Sequence, residues 1–165
     1  MHLLNVQPGA IADGSEAVDL GQSPGRMVFL SAADTELSAV AQARAKMGDN
    51  FPTIRLANLM QLSHNMSVDL YCEQIIAKAE LVIVRLLGGI SYWPYGVEQI
   101  VDTCKRYDVS LVFLPGDDQP DDDLMSRSTV APDSCHRFWQ YCVHGGRQNA
   151  QAFLKFAASL VGETC

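Results

Sequence analysis

The sequence has no Cys-x-x-Cys pair and no Gly-x-Gly-x-x-Gly or Gly-x-x-x-x-Gly-Lys-Ser/Thr loop. These absences exclude the common dithiol motif and the two best-known phosphate loops. No apolar run approaches the ~20 residues that cross a bilayer. No signal peptide is expected, because His2-Leu3-Leu4-Asn5-Val6 runs at once into Pro8-Gly9. A cytoplasmic location is the expectation, with no membrane partner. Positive charge is scarce: 12 basic residues face 19 acidic ones, for a net charge of −7. A chain so charged repels phosphate backbones, so nucleic acid is not an expected partner.

What is present is a globular balance, with 48% apolar and 19% charged residues in 165. That length predicts one domain spanning residues 1–165. The five cysteines, Cys72, Cys104, Cys135, Cys142 and Cys165, are odd in number and are expected to be reduced and mostly buried. Cys135, His136, Cys142 and His144 contain zinc-ligand types, but their spacing is looser than that of structural zinc sites. No metal site is predicted.

Buried-strand runs alternate with helical periodicity. Strands are predicted at Leu3–Val6, Arg26–Ser31, Thr53–Asn58, Leu81–Leu87 and Val109–Leu114. A helix follows Ala32–Glu36 with Asp34 as N-cap and ends at Gly48-Asp49-Asn50. Further helices are predicted at Met66–Lys78 (capped by Ser67 or Asn65), Tyr95–Arg106, Ser134–His144 and Gln148–Leu160. Gly116–Pro132, with five aspartates, reads as an acidic loop. The alternation predicts an α/β fold: a flavodoxin-like, doubly wound sheet of four or five mainly parallel strands with helices on both faces. Ligands of such sheets bind beyond the carboxyl ends of the strands.

No catalytic residue is identifiable. The candidate ligand-binding residues are Arg85, Gly88, Gly89, Tyr92, Trp93, Tyr95 and His64. In Gly88–Gly96, two glycines permit close backbone approach and three aromatics surround a proline. The segment is either a ligand or partner platform, or a tight turn whose aromatics cap the core. Arg85 ends an apolar strand and needs a partner: an anionic ligand, or more simply Glu98 or Asp34. His64 sits in a loop at the ligand end, where solvation is the simpler reading. Asp117, Asp118, Asp121, Asp122 and Asp123 do not match the calcium-loop spacing and read as a solvated loop.

Several blocks together carry a family resemblance. They are Ile11-Ala12-Asp13-Gly14 with Asp19-Leu20-Gly21-Gln22, then Phe29 to Leu37, then Arg55 to Leu59 and Met66 to Tyr71, and finally Arg85, Gly88-Gly89 and Tyr92-Trp93-Pro94-Tyr95-Gly96. In order and spacing they resemble the N-terminus of the large subunit of the aerobic cobaltochelatase, the CobN family, itself similar to the magnesium chelatase large subunit. The resemblance covers nearly the whole chain. It implies an N-terminal piece of a much longer subunit. With CobS- and CobT-like partners, that subunit inserts Co2+ into the tetrapyrrole hydrogenobyrinic acid a,c-diamide during cobalamin biosynthesis. ATP with Mg2+ belongs to the full complex, and no cofactor is implied for this domain. The role implied here is tetrapyrrole docking or subunit assembly. A non-catalytic scaffold, or a stand-alone flavodoxin-like binder of a nucleotide or flavin, is the alternative.

Overall fold

The computed structural model describes Ala17 and residues 19–161. Four strands form one all-parallel sheet: β1 (Met27–Ser31), β2 (Ile54–Asn58), β3 (Leu81–Leu86) and β4 (Ser110–Pro115), in the order β2-β1-β3-β4. Among the described residues the α-helices are α1 (Asp34–Ala45), α2 (Asn65–Gln74), α3 (Pro94–Tyr107), α4 (Asp122–Met125), α5 (Pro132–His144) and α6 (Gly146–Leu160). This is the strand order of the flavodoxin-like doubly wound class. The predicted strand Leu3–Val6 lies outside the described residues.

Strand residues alternate between two cores. Val28, Leu30, Val82, Val84, Leu111 and Phe113 pack on the face covered by α2 and α3. Met27, Phe29, Leu81, Ile83, Val112 and Leu114 pack on the face covered by α1, α5 and α6. With both faces covered, β1, β3 and β4 are near-continuously apolar, as the sequence pattern anticipated, whereas the edge strand β2 carries Arg55 and Asn58 and is mostly half-buried. Phe29, Phe138 and Phe153 are fully buried on the second face, with ring centroids 4.9 Å (Phe29–Phe153) and 5.2 Å (Phe138–Phe153) apart. Each such pair adds about 0.5–1.5 kcal/mol beyond its buried area.

The position next to β4, where this class carries a fifth strand, is closed by a loop. Thr129 Oγ1 and Ser128 Oγ accept from the backbone N–H groups of Leu111 (2.9 Å) and Phe113 (2.8 Å), and Thr129 N–H donates to Leu111 C=O (2.8 Å). An open row of backbone groups on this edge is thereby satisfied.

Several helix ends differ from expectation. Ala33 rather than Asp34 is the N-cap of α1, and Asp34 Oδ1 instead accepts from Asn58 Nδ2 at 2.7 Å. His64 caps α2 in place of Ser67 or Asn65. The helix predicted to Lys78 stops at Gln74 and continues as a 3-10 turn, Ile76–Lys78. The acidic stretch contains the short helix α4, capped by Asp121. Helix α5 starts earlier, at Pro132, because proline's fixed φ suits the first helical position.

Candidate functional site

Parallel sheets of this order change winding direction between β1 and β3, and the carboxyl ends of those strands frame a crevice. Ser31 and Arg85 are register partners there. Alternation along β3 turns Arg85 to the same side as Leu81 and Ile83, towards α1, α5 and α6. The expected partner Glu98 lies on α3, across the sheet, and Asp34 is engaged by Asn58. Arg85 instead forms an ion pair with Glu36 of α1 through Nη1 and Oε2. Its Nε donates to Pro115 C=O at 2.9 Å. The second Glu36 oxygen accepts from Ser31 Oγ at 2.7 Å, and Ser31 Oγ accepts from Ala33 N–H at 3.1 Å. The Arg85 and Glu36 side chains are only 10% and 16% exposed. Each charge therefore leaves water with its counter-charge already in place.

Above this pair opens a cleft of about 390 Å³, walled by α1 on one side and by the α5–α6 turn on the other. Phe29, Ala39, Val40 and Phe153 make it largely apolar, and Gly145, Gly146 and Asn149 form its far rim. Cys142 also lines it. Burial, and secondarily the Glu36 carboxylate, pushes this thiol up to about 12, although Arg85 opposes the shift. Such a thiol is not a nucleophile near neutral pH. The sequence does not mark Glu36, Gly145, Gly146 or Asn149 as site residues, and offers Cys142 only as a zinc ligand, because α6 folds back onto α1 only in three dimensions. Gly145-Gly146, falling between the predicted helices Ser134–His144 and Gln148–Leu160, is the one local trace of this rim.

The Gly-Gly/aromatic segment lies elsewhere. Gly88 and Gly89 hold φ of 90° and 81°, values that side chains rarely tolerate, and lead into a 3-10 turn at Ile90–Tyr92. Trp93 folds back into the core on the α2/α3 face, where its Nε1–H donates to Leu62 C=O at 2.9 Å. Gly96 makes room for the indole, since a Cβ there would lie 2.0 Å from Trp93 Cε2. Tyr95 OH donates to Asp69 Oδ1 at 2.7 Å, and that hydrogen bond raises the phenol's pKa. Tyr92 alone projects outwards, 77% exposed. His64 Nδ1 accepts from Met66 N–H at 3.0 Å as the cap of α2. The structure thus gathers His64, Trp93 and Tyr95 around the start of α2 and α3, and separates them from Arg85 by the sheet.

The acidic stretch is tied to its own backbone: Asp117 Oδ1 accepts from Gln119 N–H, and Asp121 Oδ1 from Leu124 N–H, both at 3.1 Å. Among the described residues, no three His, Cys, Asp or Glu side chains converge as a metal site. Cys135 is buried, whereas His136 and His144 flank Gln140 on the outside of α5. Among the described residues no helix is long and apolar enough to cross a membrane.

A four-stranded parallel sheet wound on both faces, with a cleft at its switch point, makes this a flavodoxin-like α/β domain. Sequence comparison is more specific. The chain is 49% identical over 161 residues to the aerobic cobaltochelatase subunit CobN of a Sinorhizobium species, and 41% identical over 159 residues to that of Pseudomonas aeruginosa. These alignments take in 98% and 96% of this chain, but only 12% and 13% of the relatives. Among solved structures, the catalytic subunit of cobaltochelatase from Mycobacterium tuberculosis superimposes with a TM-score of 0.64 at 28% identity, over 84% of this chain and 10% of that one. No family model matches the chain. The chain is therefore a homologue, at the level of a single domain, of the cobaltochelatase subunit CobN.

Proposed function

We propose that this chain serves as one domain of the large subunit of an ATP-dependent cobaltochelatase, and that it supplies an assembly surface rather than reacting groups. The observation that carries the reading is the 49% identity to CobN across 98% of the chain. On this reading the full cytoplasmic complex inserts Co2+ into hydrogenobyrinic acid a,c-diamide. CobS- and CobT-like subunits take part, ATP and Mg2+ are handled outside this domain, and the isolated domain is inactive.

The surface supports assembly over macrocycle stacking. Met60, Met66, Leu87 and Tyr92 are 54%, 56%, 56% and 77% exposed. All four follow the carboxyl ends of β2 and β3, on one end of the molecule. Large apolar side chains exposed together mark contact surfaces. In the curated relatives the matched region is only 12–13% of the protein, so the occupant we assign is the remainder of the large subunit. Trp93, buried and bonded to Leu62, is not free to stack on a tetrapyrrole.

The test is a full-length large subunit containing this domain with Leu87→Ser and Tyr92→Ser together. Assembly predicts looser packing of the domain, seen as faster limited proteolysis at its boundary, reduced cobalt insertion and an unchanged affinity for the tetrapyrrole. Weakened tetrapyrrole affinity with unchanged proteolysis would move the role to substrate docking.

A further inference from the structure

We propose that the cleft between α1 and the α5–α6 turn binds a small organic acid, a single carboxylate carried on an apolar, ring-sized body. This site lies on the opposite side of the sheet from Trp93 and does not depend on the assembly reading. Its volume of about 390 Å³ is within the range of small-molecule sites. It also sits at the sheet's switch point, where ligands of this architecture bind.

Arg85 supplies the recognition. Its Nη1 is held by Glu36 and its Nε by Pro115 C=O, and no described residue accepts from Nη2. Yet no fully buried side-chain nitrogen or oxygen is without a partner among the described residues, so Nη2 is not sealed from solvent, and Arg85 lines the cleft. Both Glu36 oxygens are engaged, by Arg85 and by Ser31. The polarity left facing the cleft floor is therefore that of a donor, on a guanidinium already fixed in direction. A carboxylate is the natural acceptor for such a group.

The far rim agrees in sign. Helix α6 is 15 residues long and no side chain caps its N-terminus. Its first turn, through Gly145 and Gly146, borders the cleft, and a Cβ at Gly146 would meet nothing within 4 Å. Unsatisfied N–H groups there favour a negative group. The walls of Phe29, Ala39, Val40 and Phe153 favour an apolar body. Glu36, and a net charge of −7, oppose a multiply charged ligand.

Titration of the ¹⁵N-labelled chain with 2-naphthoate, followed by amide chemical shifts, tests the proposal, with 2-naphthamide as the uncharged counterpart. A ligand this size with ordinary efficiency binds with Kd on the order of 1 mM. Saturable shifts are expected at Phe29, Arg85 and residues 145–150. Arg85→Lys keeps the charge but not the planar fork, and should weaken naphthoate about tenfold while leaving naphthamide unchanged. Glu36→Gln should tighten naphthoate alone, by removing an opposing charge. Ala39→Phe, away from the ion pair, should abolish binding of both by filling the cleft. Shifts scattered over other surfaces, or naphthoate and naphthamide binding alike in all variants, would overturn the proposal.

Discussion

Gly96 and Gly88 show how a single missing Cβ shapes the aromatic segment in two ways. At Gly96 the obstacle is the Trp93 ring, which is packed in the core and bonded to Leu62. At Gly88 the obstacle is the exposed Tyr92 ring, 2.3 Å from where a Cβ would sit, which can swing into solvent and leaves only the cost of φ 90°. Gly96→Ala should thus cost about 2–3 kcal/mol by forcing the core to shift. Gly88→Ala should cost about 1–2 kcal/mol from backbone strain. Urea denaturation of both variants checks the order. For the Arg85–Glu36 pair, Arg85→Met should cost roughly 3 kcal/mol by stranding a mostly buried carboxylate. Adding Glu36→Leu should restore most of that loss, which a double-mutant cycle measures. Full additivity of the two changes would show that the ions are not coupled.

Helix ends and the sheet edge carry the next level of specification. His64 caps α2 through Nδ1, a role that asparagine fills well. His64→Ala should lower stability by about 1 kcal/mol, while His64→Asn should leave it unchanged. Helix α3 ends on Asp108 at φ 59°, where glycine is preferred, so Asp108→Gly should raise the melting temperature through a gain of about 0.5–1 kcal/mol. At the edge of β4, Ser128→Ala leaves the Phe113 N–H without its acceptor. A loss of about 1–2 kcal/mol is expected. The Phe113 and Leu111 amides should then exchange faster with deuterium.

Across the whole molecule, burial sets the chemistry of the thiols. It pushes Cys72 up to about 11, Cys104 up to about 12 and Cys142 up to about 12, and it raises Cys135 too. The native thiols thus bind protons more tightly than the unfolded ones, whose ordinary value is near 9. Unfolding releases protons above that pH, so stability is full below about pH 9 and falls as pH rises towards 11–12. Denaturant midpoints across this range should decline steadily. In a Cys165→Ser variant at pH 8, an aromatic disulfide reagent should modify the four remaining cysteines only after denaturant is added. Rapid labelling of the buried Cys72, Cys104 or Cys135 in the native protein would mean that these sites open on their own.

Local composition settled a good deal. Apolar runs with β-branched residues mark β1, β3 and β4 because a strand covered on both faces needs no polar side, and 3.6-residue stripes mark the helices because one face must be buried. The scarcity of basic residues and the missing phosphate loops shaped the expected partners, and the blocks from Phe29 to Gly96 pointed to the chelatase family. Pairing across long separations was not legible. Nothing local distinguishes Glu36 from Glu98 as the partner of Arg85; the choice follows from which face β3 turns towards, and from α1 and α3 lying on opposite faces. Trp93 reads equally as platform or core until Leu62 and Gly96 are brought beside it. The cleft needs β1, β3, α1 and the α5–α6 turn at once, and only the winding of the chain around the sheet brings these segments together.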